Sequence, residues 1–213
     1  MIVKDFMSDK LITLKVSDDI KKAFELMKIN KIRHIPVLDG EKLVGIVTNA
    51  DLRQVLVPLE TDKTKEASLF TSKFSTVYQI MTKDPITVSP QTDIEKAAML
   101  LQKNKIGGLP VVEKDRLVGM ITETDIFGVF IEMMGVIKYS SRVDVVLGED
   151  PEAFQHVSRL IKENGADIIS VGMSSFNDKG KRVYYFRLDT DDIDSIAKSI
   201  EDNGYEVQSV VTG

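Results

Sequence analysis

Two short polar clusters carry residue types that could hold a ligand. Thr48 and Asp51 stand three positions apart after an apolar run, and Thr122 and Asp125 repeat that spacing. The pattern predicts a strand that ends at the threonine and a helix that starts just after it. Unpaired amides at a helix start attract a phosphate, to which the threonine hydroxyl can also donate. The aspartate can accept hydrogen bonds from both hydroxyls of a ribose.

The same spacing has a structural explanation that stays open. Threonine followed by aspartate three residues later is also an ordinary capping pattern at a helix N-terminus. A single copy would favour that explanation, whereas two copies at matching positions favour ligand binding. Both copies keep the threonine and the aspartate, so both predicted pockets could bind.

The elements that must position these clusters belong to an internal duplication. Residues 3–56 align without a gap on residues 77–130, and 20 of the 54 pairs are identical. Each copy predicts the order β-α-β-β-α. Asp18 and Thr92 are the predicted N-caps of the first helices, with Glu95 completing a capping box in the second copy. One copy leaves a sheet face bare, so the pair is predicted to fold as one module.

The duplicated segments resemble a CBS-domain pair, also called a Bateman module. The resemblance rests on matching motifs in the two copies: Met7 and Met81, Ile35–Val37 and Leu109–Val111, and Gly-apolar-apolar-Thr-x-x-Asp at 45–51 and 119–125. It implies that an adenine nucleotide (AMP, ADP or ATP) binds with its base beside the first strand, its ribose on the aspartate and its phosphate near the threonine and nearby cations. The candidate ligand-binding residues are Ile12, Thr13, Arg33, His34, Ile35, Pro36, Thr48, Asp51, Ile86, Thr87, Gly108, Leu109, Pro110, Thr122 and Asp125.

The two copies differ just before the second strand. The first copy has Arg33 and His34 where the second copy has Gly107 and Gly108. Arg33 could bind a phosphate, His34 could add a pH-sensitive donor, and the glycines could let a ligand approach the backbone. Alternatively, the arginine is a solvated surface residue and the glycines ease a bend. The asymmetry predicts unequal pockets.

The remaining third of the chain predicts a second domain of order βαββαβ, a ferredoxin-like plan. A helix is predicted to start at Pro151, with Asp150 as its N-cap. This order resembles an ACT domain, a class that commonly binds amino acids at this loop. Glu152 stands where that class has a glycine and would repel an amino-acid carboxylate, so dimerisation is the expected role. His156 is expected on the surface, and Met133 and Met134 in the core of a helix.

The predicted fold class is therefore α+β, with tandem CBS repeats packed as one module and a C-terminal ferredoxin-like, ACT-like domain. The combination resembles the AcuB type of acetoin-utilisation protein, which implies a role in carbon metabolism. The predicted boundaries are 1–57 for the first repeat, 58–75 for a polar linker, 76–137 for the second repeat and 138–213 for the ACT-like domain. Some helix is predicted near Glu66–Phe70 in the linker.

Composition narrows the classes of function. The formal net charge is −5, which argues against a nucleic-acid-binding face. The absence of cysteine excludes disulfides, cysteine-based zinc sites and thiol nucleophiles. No apolar run is long enough for a membrane span, and the N-terminus lacks the apolar core of a signal peptide, so a cytoplasmic location is expected. No pairing of a base with a nucleophile is evident, so no enzyme, catalytic cofactor or metal is predicted.

The expected function is that of a non-catalytic sensor of adenine nucleotides. The ligand would lie between the repeats and signal to a partner or to the ACT-like domain. A structural dimeric adaptor with empty pockets is the alternative. S-adenosylmethionine or another adenosyl compound as the ligand, or an amino acid on the ACT-like domain, is a further alternative. A homodimer is expected, with the apolar helix around 130–137 as its candidate surface.

Overall fold

The computed structural model describes residues 1–55, 57–58, 70–71, 73–136, 140–148, 151–174 and 181–213. The chain divides into two compact units, Met1–Ile126 and Phe127–Gly213. Among the described residues, no helix combines the length and the apolar character needed to cross a lipid bilayer. The predicted linker helix lies outside the described residues, apart from Phe70 in a short strand.

Both repeats contain the predicted helices and hairpins, but the first strand predicted in the second repeat is reduced to an isolated bridge between Val88 and Val111. The helices and strands of the first are β1 (Leu14–Lys15), α1 (Ile20–Asn30), β2 (His34–Asp39), β3 (Lys42–Thr48) and α2 (Asn49–Val55), followed by β4 (Val57–Pro58) and β5 (Phe70–Thr71). Those of the second are β6 (Thr82–Lys83), α3 (Ile94–Asn104), β7 (Gly108–Glu113), β8 (Arg116–Thr122) and α4 (Glu123–Met133). One six-stranded sheet joins both repeats in the order β1-β2-β3-β8-β7, with β6 paired to β3.

Each first helix of the repeats buries the apolar face that its spacing predicts. Ile20, Ala23 and Met27 of α1 are buried, and Ile94, Ala97 and Leu101 repeat the arrangement in α3. Residues spaced three and four apart share one side of a helix, which packs against the sheet. The predicted strands are also present in each hairpin, which supports the predicted mixed fold.

The predicted N-caps are wrong by one residue in both repeats. Asp19 caps α1 by accepting from the amide of Lys21 at 2.6 Å, whereas Asp18 accepts from the amide of Lys15 at 2.8 Å. Asp93 occupies the N-cap of α3 without a side-chain hydrogen bond. The hydroxyl of Thr92 instead accepts from the amide of Ser89, which precedes the helix. Neighbouring polar residues compete for the turn before a helix, and spacing alone does not rank them.

The start of each repeat packs on the other repeat. We call residues 1–9 and 75–83 the opening segments. The amide of Val3 donates to the carbonyl of Thr92 at 2.8 Å, and the amide of Val77 donates to that of Asp18 at 2.9 Å. Met81 belongs to the core of the first repeat. Because each repeat is completed by a segment of the other copy, neither repeat is complete alone.

The unit Phe127–Gly213 has the predicted ferredoxin-like order. Its elements are β9 (Ser141–Val146), α5 (Pro151–Glu163), β10 (Asp167–Met173), β11 (Val183–Asp189), α6 (Ile193–Asp202) and β12 (Glu206–Val211). The sheet is antiparallel in the order β10-β11-β9-β12. The apolar faces of α5 and α6 cover one side of it, with Phe186 at 0% exposure among the core residues. Asp150, the predicted cap of α5, lies outside the described residues.

Two predictions about single residues are corrected by the structure. The sequence predicts Met133 and Met134 in a helix core, but their exposed fractions are 49% and 54%. Val129 is buried one turn earlier, whereas α4 ends at Met133 and its last turn is exposed. The sequence also predicts His156 on the surface, yet it is half-buried and its Nδ1 lies 2.9 Å from the hydroxyl of Tyr205. A hydrogen-bonding partner far along the chain offsets the cost of burying the imidazole.

Candidate functional site

Two clefts between the repeats contain the predicted threonine and aspartate residues. Both lie entirely within the unit Met1–Ile126. The Lys10 cleft, named after a lysine in its wall, has a volume of about 290 Å³. The Asp84 cleft, named after the residue equivalent to Lys10 in the second repeat, has a volume of about 490 Å³. Such volumes suit small-molecule ligands.

Each cleft is assembled from both repeats. Thr122 and Asp125 of the second repeat line the Lys10 cleft together with Ile12 of the first. Thr48 and Asp51 of the first repeat correspondingly line the Asp84 cleft with Ile86 of the second. The sequence predicts a ligand between the repeats but does not assign the two sides of a cleft to particular copies. Because the opening segments are exchanged, the isoleucine in each cleft comes from the copy that does not supply the threonine and aspartate of that cleft.

The threonine and aspartate of each cluster form a closed hydrogen-bonded unit. The amide and the hydroxyl of Thr48 donate to Oδ2 of Asp51 at 2.8 and 2.7 Å. The same two bonds join Thr122 to Asp125, again at 2.8 and 2.7 Å. The amide of each aspartate in turn donates to the threonine hydroxyl, at 3.3 and 3.4 Å. The carboxylates are therefore held in a fixed orientation at the edge of each cleft.

This arrangement changes the role expected of the threonine. A hydroxyl has one proton to donate. In Thr48 and Thr122 that proton goes to the aspartate, so the threonine orients the carboxylate rather than binding a phosphate. No described residue donates to the other carboxylate oxygen, Oδ1, of either aspartate. One oxygen of each carboxylate stays available to accept hydrogen bonds from a ribose.

The helix start offers fewer amides than predicted. The amide of Asn49, the first residue of α2, donates to the carbonyl of Arg33 at 3.0 Å. The amide of Glu123, the first residue of α4, donates to the carbonyl of Gly107 at 3.1 Å. These bonds tie each helix start to the segment before the second strand. The first amide of each helix is thus not available to a phosphate, and side-chain cations are the better partners.

His34 occupies the space that the paired glycines leave. A Cβ built on Gly107 would lie 2.9 Å from Nε2 of His34, and one on Gly108 would lie 3.3 Å from its Cγ. The glycines therefore make room for the imidazole, and they also line the Asp84 cleft. The same ring lines both clefts. Burial lowers the pKa of His34 and the charge of Arg33 lowers it further, whereas Glu123 and Asp51 raise it.

Ten of the fifteen predicted site residues line one cleft or both. They are Ile12, Arg33, His34, Pro36, Thr48, Asp51, Ile86, Gly108, Thr122 and Asp125. Ile35 and Leu109, with 0% exposure, lie in the protein core. Thr13, Thr87 and Pro110 line neither cleft.

Of the predicted residues outside the clefts, Ile35, Leu109 and Pro110 belong to β2 and β7, whereas Thr13 precedes β1 and Thr87 precedes the isolated bridge at Val88. Side chains alternate between the two faces of a strand, so a strand that borders a cleft sends only every second side chain toward it. His34 and Pro36 of β2 line a cleft, for example, whereas Ile35 between them is buried. The motif identified the right segments but not the face that each residue occupies.

Several charged residues of the clefts carry no signal in the sequence motif. Lys10 and Lys31 line the first cleft, and Asp84, Lys105 and Glu123 line the second. Each is an exposed residue next to a loop or a helix end, where charge is common for solubility alone. Lys10 and Asp84 occupy equivalent positions in the aligned repeats. This reversal of charge is the one sequence feature that could have indicated that these residues line the clefts.

Metal binding finds no support in the described part of the chain. No three His, Asp or Glu side chains come together there in a way that could hold a metal ion. The carboxylates of Asp51 and Asp125 belong to different clefts and are each bonded to a threonine. The described lining residues of both clefts offer hydrogen-bonding groups and charged side chains.

Comparison with known proteins gives a family match over both repeats. The sequence model of the CBS domain matches residues 3–58 and 77–132. A CBS domain-containing protein of Dictyostelium discoideum is 31% identical over 136 residues, which cover 63% of this chain and 94% of that protein. The chain also matches a homoserine O-acetyltransferase of Methanohalobium evestigatum and an inosine-5'-monophosphate dehydrogenase of Korarchaeum cryptofilum, at 35% and 36% identity over 58% of this chain. It spans only 23% of the length of each of these two proteins.

Three solved structures are similar to the same part of the chain. The CBS domain pair of protein MJ0100, in complex with 5'-methylthioadenosine and S-adenosyl-L-methionine, is 30% identical with a TM-score of 0.50 and covers 61% of this chain and 95% of its own. CBSX2 in complex with AMP is 29% identical with a TM-score of 0.50 and covers 62% and 96%. A protein assigned to acetoin utilization, AcuB from Vibrio cholerae, is 33% identical with a TM-score of 0.51 and covers 64% and 94%.

Proposed function

The chain belongs to the CBS domain family, and we propose on that basis that it is a regulatory protein that binds adenosine-containing ligands between its two repeats. The observation that carries this proposal is the pair of open clefts, each with a carboxylate fixed by a threonine and one free oxygen at its edge. A fixed carboxylate of this kind matches the two adjacent hydroxyls of a ribose, which are both donors.

The similar structures support the class of ligand. MJ0100 holds two adenosyl compounds without a phosphate, and CBSX2 holds AMP. The adenosine part is common to all three ligands, so adenosine recognition is the shared expectation for this chain. AMP, ADP and ATP are the specific ligands that we propose for it, and S-adenosylmethionine or another adenosyl compound is the alternative.

A thermal-shift titration tests the proposal. A ligand at 100 times its Kd stabilises a folded protein by about 2.7 kcal/mol. We expect at least one of AMP, ADP, ATP and 5'-methylthioadenosine to raise the melting temperature of the wild-type chain. The double variant Asp51→Ala, Asp125→Ala should lose that shift, and unchanged melting with every adenosyl compound would contradict the proposal.

A structural adaptor with empty pockets is the second candidate. The observation that favours it is the internal bonding of each threonine to its aspartate, which would also cap a helix if no ligand ever bound. Mass spectrometry of denatured, freshly purified protein separates the two candidates. A co-purified adenosyl compound supports the sensor, whereas its absence together with no thermal shift supports the adaptor.

We propose that the protein has no catalytic activity of its own. The enzymes that it resembles are more than four times as long as the matched segment, so the match does not extend to most of either enzyme. Incubation with ATP followed by chromatography of the nucleotides tests this. Turnover that disappears in the Asp51→Ala or Asp125→Ala variant would contradict it.

The unit Phe127–Gly213 is proposed to be an ACT-like domain that serves dimerisation and reads the ligand state of the repeats. Its sheet order supports the ferredoxin-like plan that this class shares. Large exposed apolar side chains on α4, including Phe127 at 64% and Phe130 at 39% exposure, support a homodimer. Sedimentation at micromolar concentration should show a dimer, and a monomer alone would contradict this.

The similarity to AcuB supports a role in carbon metabolism.

A further inference from the structure

The two clefts carry opposite charge around the same sugar-binding unit. Lys10 and Asp84 occupy equivalent positions of the aligned repeats, and each lines one cleft. The threonine and aspartate pairs, by contrast, have equal hydrogen-bond lengths of 2.8 and 2.7 Å in both clefts. The clefts therefore share a means of holding ribose and differ in the charge that surrounds it.

The Lys10 cleft is rich in cations. Lys10, Lys31 and Arg33 line it, and Asp125 is the one acidic residue among its described lining residues. The guanidinium of Arg33 reaches the second repeat, where its Nη2 lies 3.5 Å from the hydroxyl of Thr124 in the wall of this cleft. Three cations against one carboxylate give a positive local potential, which attracts an anionic ligand.

The Asp84 cleft is rich in acids. Asp51, Asp84 and Glu123 line it, against Lys105 and the shared Arg33. Lys105 is the equivalent of Lys31, so this lysine does not distinguish the two clefts. Their difference in charge comes from Asp84 and Glu123 in one cleft, and from Lys10 and the guanidinium of Arg33 beside Thr124 in the other. A phosphate placed here would face three carboxylates, and like charges repel each other.

The charge of adenosyl compounds varies at the 5' substituent of the ribose. A phosphate chain is anionic, a hydroxyl or thioether is neutral, and a sulfonium is cationic. We propose that the two clefts sort these compounds by charge: the Lys10 cleft takes a 5'-phosphorylated adenosine, and the Asp84 cleft takes an adenosyl compound whose 5' substituent carries no negative charge. This inference rests on the proposed function, because it presupposes that both clefts hold a ribose.

The consequence is a protein that reads two ligands at once. His34 lines both clefts and packs against Gly107 and Gly108, so the clefts share a wall. One unit therefore compares the level of a phosphorylated adenosine with that of an unphosphorylated adenosyl compound.

Site-resolved titration tests the sorting. AMP and 5'-methylthioadenosine are titrated by calorimetry into the wild-type chain, Asp125→Ala and Asp51→Ala. We expect Asp125→Ala to lose AMP and keep 5'-methylthioadenosine, and Asp51→Ala to do the reverse. Binding of AMP should weaken as salt is raised, since exposed charges are screened, whereas binding of the neutral thioether should not.

Charge reversal supplies the second arm of the test. Lys10→Asp should weaken AMP binding about tenfold, an effect expected for inverting one charge near a bound anion. Asp84→Lys should add a second AMP site, so that the stoichiometry rises from one to two. Lys114→Asp makes the same change of charge in the β7–β8 turn, at a residue that lines neither cleft, and should leave AMP binding unchanged.

The outcomes separate this inference from the function on which it rests. If no adenosyl compound binds the wild-type chain, the proposed function fails. If AMP fills both clefts of the wild type equally, or if Asp51→Ala removes AMP while Asp125→Ala keeps it, the sorting fails and the proposed function stands. Circular dichroism and urea unfolding of each variant show whether a loss of binding reflects a loss of fold.

Discussion

At the scale of single residues, the bond between Thr48 and Asp51 serves the helix start and orients a carboxylate at the cleft edge. The threonine hydroxyl donates to the carboxylate and accepts from the aspartate amide, so it caps α2 and orients the carboxylate at once. Thr122 and Asp125 do the same for α4. The capping and ligand-binding explanations of the motif are therefore compatible with each other, because one oxygen of each carboxylate serves the cap and the other faces no described donor.

Removal of the Thr48 hydroxyl tests this double role. Thr48→Val keeps the shape of the side chain but loses the cap, and we expect the free energy of unfolding to fall by about 1 kcal/mol. Ligand affinity at the Asp84 cleft should fall as well, because the carboxylate then keeps only its bond from the amide of residue 48. Urea unfolding and calorimetry measure the two effects. Thr48→Ser retains the hydroxyl and should behave like the wild type; a stable Thr48→Val with full affinity would show that the bond has neither role.

His34 predicts a pH dependence of stability. Burial, followed by the charge of Arg33, lowers the pKa of His34 from its ordinary value of 6.5, despite the opposing influence of Glu123 and Asp51. Below pH 6.5 the unfolded chain therefore binds a proton at this position more readily than the folded chain. The free energy of unfolding should consequently fall as the pH drops through 6.5, and the loss should level off below the lowered pKa.

Urea unfolding between about pH 7.5 and about pH 5 measures this slope. His34→Gln removes the titrating group and should flatten the part of the slope that His34 causes. His156→Gln is the matched control, because it removes the other histidine and leaves His34 in place. Equal slopes in the wild type and in His34→Gln would contradict the assignment.

Among the elements, the opening segments decide how the clefts are built. Met81 lies over Gly45 in β3, and Met7 lies over Gly119 in β8. A side chain at either glycine would collide with the methionine that the other repeat supplies. The glycine of each strand is therefore paired with the methionine of the exchanged segment. Lys10 and Asp84 directly follow these two segments, and each lines the cleft that contains the threonine and aspartate of the other repeat.

Alanine substitution at these glycines tests the packing. A Cβ at Gly45 would lie 3.1 Å from the carbonyl oxygen of Thr82 and closer still to Met81. We expect Gly45→Ala to lower the free energy of unfolding by about 1–3 kcal/mol, the cost of overpacking a core. Denaturant unfolding measures the change.

Gly128 is the matched control for that substitution. It lies in α4, and a methyl group at its Cβ position would have no neighbouring atom within 4 Å, so Gly128→Ala meets open space. Alanine favours a helix over glycine by about 1 kcal/mol, and this variant should gain stability. A loss at both positions, or at neither, would show that the close approach to Met81 does not govern stability.

Across the whole molecule, each of the two compact units has a hydrophobic core of its own. Ile20 belongs to a core in the unit Met1–Ile126, and Ile196 belongs to the core of the unit Phe127–Gly213. A unit with its own core can unfold as a separate cooperative unit. The clefts lie in the first unit alone, so ligand binding should stabilise that unit in particular.

Core truncations in the two units test this separation. Ile196→Ala should destabilise the second unit by about 2–5 kcal/mol and leave the melting shift that AMP causes unchanged. Ile20→Ala is the counterpart in the first unit and should lower the transition that AMP raises. Differential scanning calorimetry resolves the two transitions; loss of the AMP shift in Ile196→Ala would contradict independent behaviour.

The repeat, its helices and hairpins, and the repeated threonine–aspartate motif can all be read from the chain alone. The offset of the two copies and the apolar spacing in α1 and α3 are local patterns, and a local pattern is present in the sequence whether or not the chain is folded. The βαββαβ order of the last unit follows in the same way. Thr48 and Asp51 stand out because their spacing repeats at Thr122 and Asp125.

Tertiary packing, by contrast, sets which residues meet in each cleft. Exchange of the opening segments brings Lys10 into the same cleft as Asp125, and Asp84 into the same cleft as Asp51, although each pair is far apart in sequence. The packing of β2 against the second repeat fills the space over Gly107 with the ring of His34. Contacts of this kind depend on how two copies pack across a shared sheet. No local pattern encodes them, because the same motif would be present whether or not the segments were exchanged.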